Sequence, residues 1–235
     1  MQLIFLPGMA CDASVWRKQL AAVPAQWNAV VSDVHSRFHT VEQMAAALLN
    51  ESAHTELVLC GASMGGMIAM EAARQSPESV AGLALLGTSA RPETPDIQAL
   101  REAAIELYAQ GRAEEVLLAN LKFAFHPDAQ ANAAITSEYL RIILAAGGDQ
   151  LVRQNRAVIK RPDARQHLAR VRCPALVMWG DSDQLTPPEC AREIASLIAH
   201  SKAVEISHCG HMLTMERPDK VTAQLLGWLE GLRAT

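Results

Sequence analysis

Features that are missing from the sequence exclude several classes of protein. No block of Lys and Arg carries interleaved aromatic residues, and the formal net charge is only -4, so nucleic-acid binding is not expected. No apolar run approaches the length of a bilayer span, so we expect no membrane segment. The apolar N-terminus has no basic residue before Pro7, which is atypical of a signal peptide and favours a buried first strand.

The cysteines are odd in number and scattered along the chain. The five cysteines include no C-x-x-C pair, which favours reduced thiols in a cytoplasmic protein over a disulfide framework or a zinc site. No metal-ligand spacing is visible, so we expect that neither a metal nor an organic cofactor is needed. With 235 residues, half of them hydrophobic, the chain is long enough to bury a large core.

Short apolar segments along the chain are predicted to be strands. Most are nearly continuous runs of Val, Leu and Ile, which is typical of parallel strands that are covered on both faces. The predicted strands are Leu3–Leu6, Ala29–Val34, Leu57–Cys60, Gly82–Leu86, Ala175–Trp179 and Ala203–Ile206.

Helical patterns separate these strands. The clearest are Thr40–Glu51, Met64–Ser76, Pro188–Ala199 and Pro218–Arg233. Thr40 is a suitable N-cap for the first of them, and Gln43 would complete a capping box. The alternation predicts an α/β fold, with a mostly parallel sheet of about six strands and helices on both faces.

One long stretch lacks this alternation. Residues 91–169 contain no convincing strand and show only helical patterns, over Ile97–Gln110, Ala113–Phe123 and Asn132–Ala146. We therefore predict a helical insertion at residues 91–169, within a core formed by residues 1–90 and 170–235.

The most informative motif is G-x-S-x-G at residues 61–65, directly after a predicted strand and directly before a predicted helix. In a nucleophile elbow, glycines flank the serine because the turn is tight, and a strained backbone presents the hydroxyl above the sheet. The alternatives are a turn that only packs tightly and one that binds phosphate, but the usual phosphate-loop patterns are absent from this run. Ser63 is therefore the candidate nucleophile.

Candidates for the base and the acid that a serine nucleophile requires follow the last two predicted strands. His208 and His211 follow the final strand, and His211, in a glycine-containing loop, is the preferred base. Asp181 and Asp183 follow the strand before it. Either could be the acid, and the other would then serve as a turn or cap residue.

An oxyanion formed by attack on a carbonyl needs two backbone donors. We predict that one is the N–H of Met64, the residue after the candidate nucleophile, and that the other is the N–H of Met9, after the first strand. Gly8 would let that loop bend towards a substrate, although an ordinary type II turn is the alternative.

The chain resembles the α/β-hydrolase superfamily along nearly its whole length. The residues that carry the resemblance are 5–9, 60–66, 180–187 and 210–212, and the order Ser, Asp, His is that of the family. The family's G-x-x-D-x-x-x-P pattern is filled by Gly180, Asp183 and Pro187, so the resemblance implies that Asp183 is the acid. It also implies that the helical insertion is a cap over the active site.

The chain also departs from the family pattern. Many members have His-Gly where this chain has Pro7 and Gly8, which predicts a differently shaped oxyanion loop. The first predicted strand corresponds to the third strand of the usual sheet, so the resemblance implies that the N-terminal antiparallel hairpin is lacking and that a strand edge is exposed.

The candidate residues and the resemblance together predict a serine hydrolase that cleaves a small carboxylic ester, thioester or lactone. The elbow is similar to that of 3-oxoadipate enol-lactonases and small carboxylesterases. The alternatives are a carbon–carbon bond hydrolase with the same triad and a non-catalytic ligand-binding protein on the same scaffold. The expected partner is a small-molecule substrate.

Side chains that could line the substrate pocket have two interpretations. The methionines near the predicted site either line an apolar acyl pocket or fill the core; they are Met9, Met64, Met67 and Met212. Several basic residues of the insertion could meet a substrate oxygen, but solvated surface positions are favoured; they are His126, His167, Arg153, Arg156 and Arg161.

Overall fold

The protein is built around one parallel sheet. The computed structural model describes residues 1–52 and 55–233, apart from the side chain of Arg233. The strands are β1 (Gln2–Leu6), β2 (Val30–Val31), β3 (Leu57–Ala62), β4 (Val80–Leu86), β5 (Ala175–Gly180) and β6 (Ser201–Ile206). Their order across the sheet is β2-β1-β3-β4-β5-β6, and every pair among these described strands is parallel. The predicted fold class is confirmed.

Apolar side chains cover the sheet on both faces. Successive residues of a strand point to opposite faces. Accordingly, Leu57 and Leu59 of β3 belong to one buried cluster, and Val58 and Cys60 belong to another. Because both faces are covered, the central strands are apolar at nearly every position, which is the pattern that the sequence shows.

Helices connect the strands and form the two outer layers. Those of the described residues are α1 (Arg17–Ala22), α2 (Val34–Arg37), α3 (Val41–Glu51), α4 (Met64–Gln75), α5 (Pro95–Ala109), α6 (Ala113–Ala124), α7 (Pro127–Gln130), α8 (Ala133–Ala146), α9 (Gly148–Ile159), α10 (Arg165–Leu168), α11 (Pro188–Leu197), α12 (Leu213–Glu216) and α13 (Pro218–Arg233). Short 3-10 helices cover Ala13–Trp16, Ala25–Trp27 and Pro77–Ser79. In the part of the chain that the structure describes, no helix has both the length and the apolar character that crossing a membrane requires.

The predicted capping box of α3 is only half formed. The Thr40 hydroxyl accepts a hydrogen bond from Gln43 N–H at 3.2 Å, as expected of an N-cap. The Gln43 side chain, however, accepts from His39 N–H at 3.3 Å and not from Thr40 N–H.

The edge strand β2 is shorter than predicted. The sequence predicts a strand over Ala29–Val34, but only Val30 and Val31 pair with β1, and Val34 begins α2. Asp33 favours the helical turn because its carboxylate accepts from Arg37 Nε at 2.8 Å. Val34 is buried in the core although it is not in the sheet, because a short apolar run fits a buried helix as well as a strand.

The segment between β4 and β5 consists of helices joined by loops. Within residues 91–169, all of which the structure describes, no strand forms and α5 to α10 follow one another. Helix α9 is missing from the sequence prediction. Its buried face includes the polar residues Gln154 and Asn155, which interrupt the apolar periodicity on which helix prediction depends.

Every candidate site residue lies beyond the carboxyl end of a strand. Met9 follows β1, Ser63 follows β3, Asp183 follows β5 and His211 follows β6. In a parallel sheet these ends share one edge, so the fold brings distant parts of the sequence to the place where open α/β sheets bind ligands.

Candidate active site

Ser63 occupies the turn between β3 and α4. Its backbone has a φ of 51° and a ψ of -115°, a conformation that costs a residue with a side chain about 1–3 kcal/mol. Two hydrogen bonds to the end of β4 hold it: Ser63 N–H donates to Leu86 O at 2.9 Å, and the Thr88 hydroxyl donates to Ser63 O at 2.7 Å. Thr88 belongs to no motif, and no sequence pattern singles it out.

The glycines of the motif are required by close backbone contacts. A Cβ built on Gly61 would lie 2.3 Å from Gly65 O, and one built on Gly65 would lie 2.0 Å from Leu6 O. Helix α4 therefore starts against the end of β1 without room for a side chain. The same approach brings the loop after β1 to Ser63, whose Cβ would be 3.4 Å from a Cβ on Gly8.

The two predicted oxyanion donors are available. Among the described residues, neither Met9 N–H nor Met64 N–H donates a hydrogen bond. Helix α9 holds the Met9 loop from the other side, since Ala10 N–H donates to Gln154 Oε1 at 2.7 Å and Asn155 Nδ2 lies 3.3 Å from Met9 Sδ. The loop is thus fixed by a helix that lies far along the chain, which local sequence patterns do not reveal.

Asp183 and His211 form a buried pair. His211 Nδ1 lies 2.9 Å from Asp183 Oδ2, and the same oxygen accepts from the Thr186 hydroxyl at 2.8 Å. The other oxygen of Asp183 accepts from the N–H groups of Leu185 and Thr186, each at 2.9 Å. Because every partner donates, the carboxylate is fixed in orientation and in its charged form.

Burial and charge act in opposite directions on this pair. Burial alone favours the neutral forms, and it would raise the pKa of Asp183 and lower that of His211. Their mutual attraction and hydrogen bond outweigh burial, so the pKa of Asp183 lies below its usual value and that of His211 lies above 6.5. The charge of Glu216 adds to the upward shift of the His211 pKa, and that of Arg101 opposes it.

The rival candidates lie apart from the pair. Asp181 accepts from the N–H groups of His208 and Cys209, at 2.8 and 3.1 Å, so its carboxylate shapes the loop after β6. This is the turn role that the sequence allows for one of the two aspartates. His208 is exposed, and its imidazole lies near Asp128, not near Asp183.

Ser63 and the Asp183–His211 pair lie beside the same end of β4. Its N–H is bonded to Leu86 O, and a Cβ built on the next residue, Gly87, would lie 3.3 Å from His211 O and 3.4 Å from Asp183 Oδ2. No hydrogen bond joins Ser63 Oγ to the His211 imidazole in the described part of the chain; such contacts are often long before substrate binds. The hydroxyl, the oriented imidazole and the two open N–H groups are those that acyl transfer to water uses.

Glu216 supports the histidine loop and was not predicted. Its Oε2 accepts from Gly210 N–H and from His126 N–H, each at 2.9 Å, and its Oε1 accepts from Met212 N–H at 3.0 Å. Burial raises the pKa of this carboxyl. One buried side chain therefore ties both neighbours of His211 to the helical segment that follows β4.

The basic residues of the insertion are expected to be exposed, and this prediction is wrong for two of them. Arg161 and His167 are buried. Arg161 can be buried because its guanidinium pairs with Glu93 and donates to Arg91 O at 2.9 Å, and His167 Nε2 lies 3.3 Å from Met70 O. The remaining three differ in exposure: Arg156 is exposed, whereas His126 and Arg153 are half-buried.

The methionines divide between the two interpretations. Met64 and Met67 are buried members of a core cluster, as the packing interpretation predicts. Met9 and Met212 are half-buried and pack at the margin of the cores, next to the candidate site.

Comparison with known proteins gives consistent matches over most of the chain. A family model described as the alpha/beta hydrolase fold matches residues 9–218. RutD of Enterobacter cloacae, a protein named as a carbamate hydrolase, is 25% identical over 247 residues, covering 98% of this chain and 91% of that protein.

Solved structures show the same likeness. A thermophilic esterase from Thermogutta terrifontis has a TM-score of 0.88 at 25% identity, with 99% of this chain and 90% of that chain covered. The enol-lactonase from Burkholderia xenovorans LB400 has a TM-score of 0.84 at 23% identity, with 97% and 91% covered. Since the family model spans most of the sequence and the sheet has the expected topology, this chain belongs to the α/β-hydrolase family.

Proposed function

We propose that this protein hydrolyses a small carboxylic ester, thioester or lactone through a triad of Ser63, His211 and Asp183. The observation that carries the proposal is the 2.9 Å contact between His211 Nδ1 and Asp183 Oδ2, at the sheet edge where the elbow presents Ser63. An imidazole held in this way by a buried carboxylate is the base that a serine nucleophile needs.

The proposed reaction proceeds in two halves. The Asp183 carboxylate can only accept from Nδ1, so the lone pair of the His211 imidazole is on Nε2 and removes the Ser63 proton as the hydroxyl attacks the carbonyl carbon. The imidazolium then protonates the leaving alcohol, thiol or ring oxygen, and an acyl-enzyme remains. Water, deprotonated by the same nitrogen, releases the acid and restores the serine.

The N–H groups of Met9 and Met64 hold the oxyanion in this proposal. Both are unpaired among the described residues. Met9 follows Gly8, which lies in close contact with Ser63, and Met64 is the residue after Ser63. Donors that are already in place need no reorganisation when negative charge develops on the substrate oxygen.

The helical segment of residues 91–169 serves as the cap of the proposed enzyme. Its contacts support this role, since Gln154 accepts from Ala10 N–H at 2.7 Å beside one oxyanion donor, and Ala124 O accepts from His211 N–H at 2.9 Å. A segment bonded to both sides of the site can exclude water from the reacting groups.

A carbamate is the second candidate substrate. It is favoured by the similarity to RutD, which extends over 98% of this chain. The same nucleophile, base and oxyanion donors would attack a carbamate carbonyl, so the same triad serves both candidates. The thermophilic esterase, with its similar fold and 25% identity, favours the ester.

Labelling with a fluorophosphonate probe tests the nucleophile. Such probes phosphonylate an activated serine, so the wild-type protein is expected to be labelled at Ser63 and Ser63→Ala to remain unlabelled. Ser207→Ala is the matched control, because Ser207 is exposed in the loop after β6 and is expected to have no part in the reaction. Equal labelling of wild type and Ser63→Ala would contradict the proposal.

A panel of substrates then separates the chemical classes. It contains p-nitrophenyl esters of increasing acyl length, lactones, aryl carbamates and vinylogous diketones. We expect the highest kcat/KM for a short ester or a lactone. A preference for carbamates would favour the second candidate, and a preference for diketones would indicate carbon–carbon bond cleavage.

The fall in activity at low pH reports the pKa of His211, the proposed general base. Activity is expected to fall as the pH drops through a pKa above 6.5, because only neutral His211 accepts the serine proton and the Asp183 charge raises the pKa of this imidazole. The measurement is kcat/KM for an ester between about pH 5 and about pH 9, the range in which a histidine base titrates.

Substitution of a nearby charged residue provides a second test of the His211 pKa. Glu216→Gln removes negative charge that raises the pKa of His211, so the midpoint of its profile is expected to move to lower pH. A midpoint that Glu216→Gln leaves unchanged or moves upwards would contradict this account of the base.

A further inference from the structure

Three metal-binding side chains meet on the surface beside the proposed active site. His126 and Asp128 belong to the helical segment after β4, and His208 belongs to the loop after β6. One ligand atom from each lies within 4.8 Å of the other two. We propose that His126, Asp128 and His208 form a binding site for Zn²⁺ or a similar transition-metal ion.

The distances are close to those of a metal site. Metal–ligand bonds of 2.0–2.2 Å in a tetrahedral zinc site place ligand atoms about 3.4 Å apart. Here Asp128 Oδ2 is 3.5 Å from His126 Nδ1 and 3.8 Å from His208 Nδ1. The two imidazole rings are 5.4 Å apart between centroids and inclined at 61°, so rotations about side-chain bonds can direct a nitrogen of each ring to one ion.

The backbone positions of the ligands are already fixed. His126 N–H donates to Glu216 Oε2 at 2.9 Å, and His208 N–H donates to Asp181 Oδ2 at 2.8 Å. His208 O also accepts from Arg217 Nε at 2.8 Å. An ion therefore has to order side chains only, which lowers the entropy cost of binding.

The donor set selects the class of ion. Two imidazoles and one carboxylate suit Zn²⁺, Ni²⁺ or Cu²⁺, whereas Mg²⁺ and Ca²⁺ prefer oxygen ligands alone. The side chains of Asp128 and His208 are about two-thirds exposed, at 68% and 70%, so water can complete the coordination and a chelator can remove the ion. His126 Nδ1 accepts from Asp128 N–H at 3.1 Å, and an ion bound to that nitrogen has to replace this hydrogen bond.

The site would connect two parts of the chain that meet at the proposed active site. His208 is close in sequence to His211, and His126 is tied through Glu216 to both neighbours of His211. A bound ion would therefore restrain the helical segment against the histidine loop. No metal-ligand spacing is visible in the sequence, because His208 lies far along the chain from the other two ligands.

Calorimetric titration of the full chain with ZnCl2 tests the site. The protein carries no affinity tag, is freed of metal with EDTA and is dialysed before titration; MgCl2 is titrated in parallel. We expect one Zn²⁺ per chain and no binding of Mg²⁺. Asp128→Asn and His208→Asn are each expected to weaken Zn²⁺ binding at least about tenfold. Asparagine is chosen at His208 because that residue has a φ of 55°, which asparagine tolerates.

His200→Asn is the matched control. His200 is exposed at the far end of β6, and its substitution is expected to leave the affinity for Zn²⁺ unchanged. Melting curves provide a second readout, since at one Zn²⁺ concentration the melting temperature should rise less in His208→Asn than in wild type and His200→Asn. Failure of the wild type to bind Zn²⁺ would overturn the proposal. So would an affinity for Zn²⁺ in His208→Asn equal to that of the wild type, which would place the ion elsewhere, for example on His211. Neither readout depends on catalysis.

Discussion

Replacement of Ser63 by alanine is expected to lower kcat for an ester by about 10⁶-fold, which is close to complete loss of turnover. The hydroxyl is the atom that forms the acyl-enzyme in the proposed reaction, and no other group can take its place. Substrate binding and the oxyanion donors Met9 and Met64 remain, so a small residual rate above that of water is expected.

The substitution should leave the fold intact. Alanine, like serine, carries a Cβ, so the backbone strain at a φ of 51° is the same in both proteins. The Ser63 hydroxyl has no hydrogen-bond partner in the described part of the chain, so its removal leaves no buried group unpaired. The melting temperature of Ser63→Ala is therefore expected to match that of the wild type.

The experiment compares kcat and KM of wild type and Ser63→Ala on the best ester of the panel. KM should change little, because the hydroxyl contributes to the transition state and not to ground-state binding. A folded Ser63→Ala protein that kept even about a hundredth of the wild-type kcat would show that the chemistry takes place elsewhere.

The local parts of the site could be predicted from the sequence. The elbow is one, because Gly61 and Gly65 flank Ser63 in the sequence and leave a visible motif, although the atoms that crowd Gly65 belong to the distant end of β1. The positions of Asp183 and His211 are another. Each closely follows a strand, and parallel topology carries all strand ends to the same edge.

The supporting residues could not be predicted, because their partners are distant in sequence. The Thr88 hydroxyl donates to Ser63 O, and Gln154 of α9 accepts from Ala10 N–H. Glu216 accepts from N–H groups of two separate segments. Single polar residues of these types are common, and nothing in their immediate neighbourhood marks them. Only the tertiary arrangement makes them parts of the site.

The wrong prediction of exposure for Arg161 has a similar origin. Arginine is assigned to the surface from its residue type, but Arg161 is buried because Glu93, remote in sequence, neutralises its charge. The predicted length of β2 failed for a related reason. Val34 is buried in a helical turn and not in a strand. An apolar pattern over so few residues fits either structure.

Asp183→Asn is expected to lower kcat by up to about 10⁴-fold with little change in KM. The amide oxygen of the new residue can still accept from Leu185 N–H and Thr186 N–H, so its NH2 group faces His211 Nδ1. That nitrogen must then accept, and the ring proton moves to Nε2. An imidazole protonated at Nε2 cannot remove the serine proton, and the lost charge no longer stabilises the imidazolium.

Asp181→Asn is the matched comparison, since it makes the same chemical change two positions away. Its carboxylate bonds to His208 N–H and Cys209 N–H, and asparagine can satisfy only one of the two through its oxygen. A loss of stability of about 1–3 kcal/mol is therefore expected, with kcat within a few-fold of the wild type.

The decisive measurement is kcat for both variants at a temperature where each is shown by circular dichroism to be folded. A large loss in Asp183→Asn and a small one in Asp181→Asn would assign the acid to the carboxylate that contacts His211 Nδ1. The reverse ranking would mean that the 2.9 Å contact orients a histidine without catalytic function, and that Asp181 is the acid, serving a base in the loop after β6 to which it is bonded. In that case His208, whose N–H is bonded to Asp181, would be the histidine to replace next.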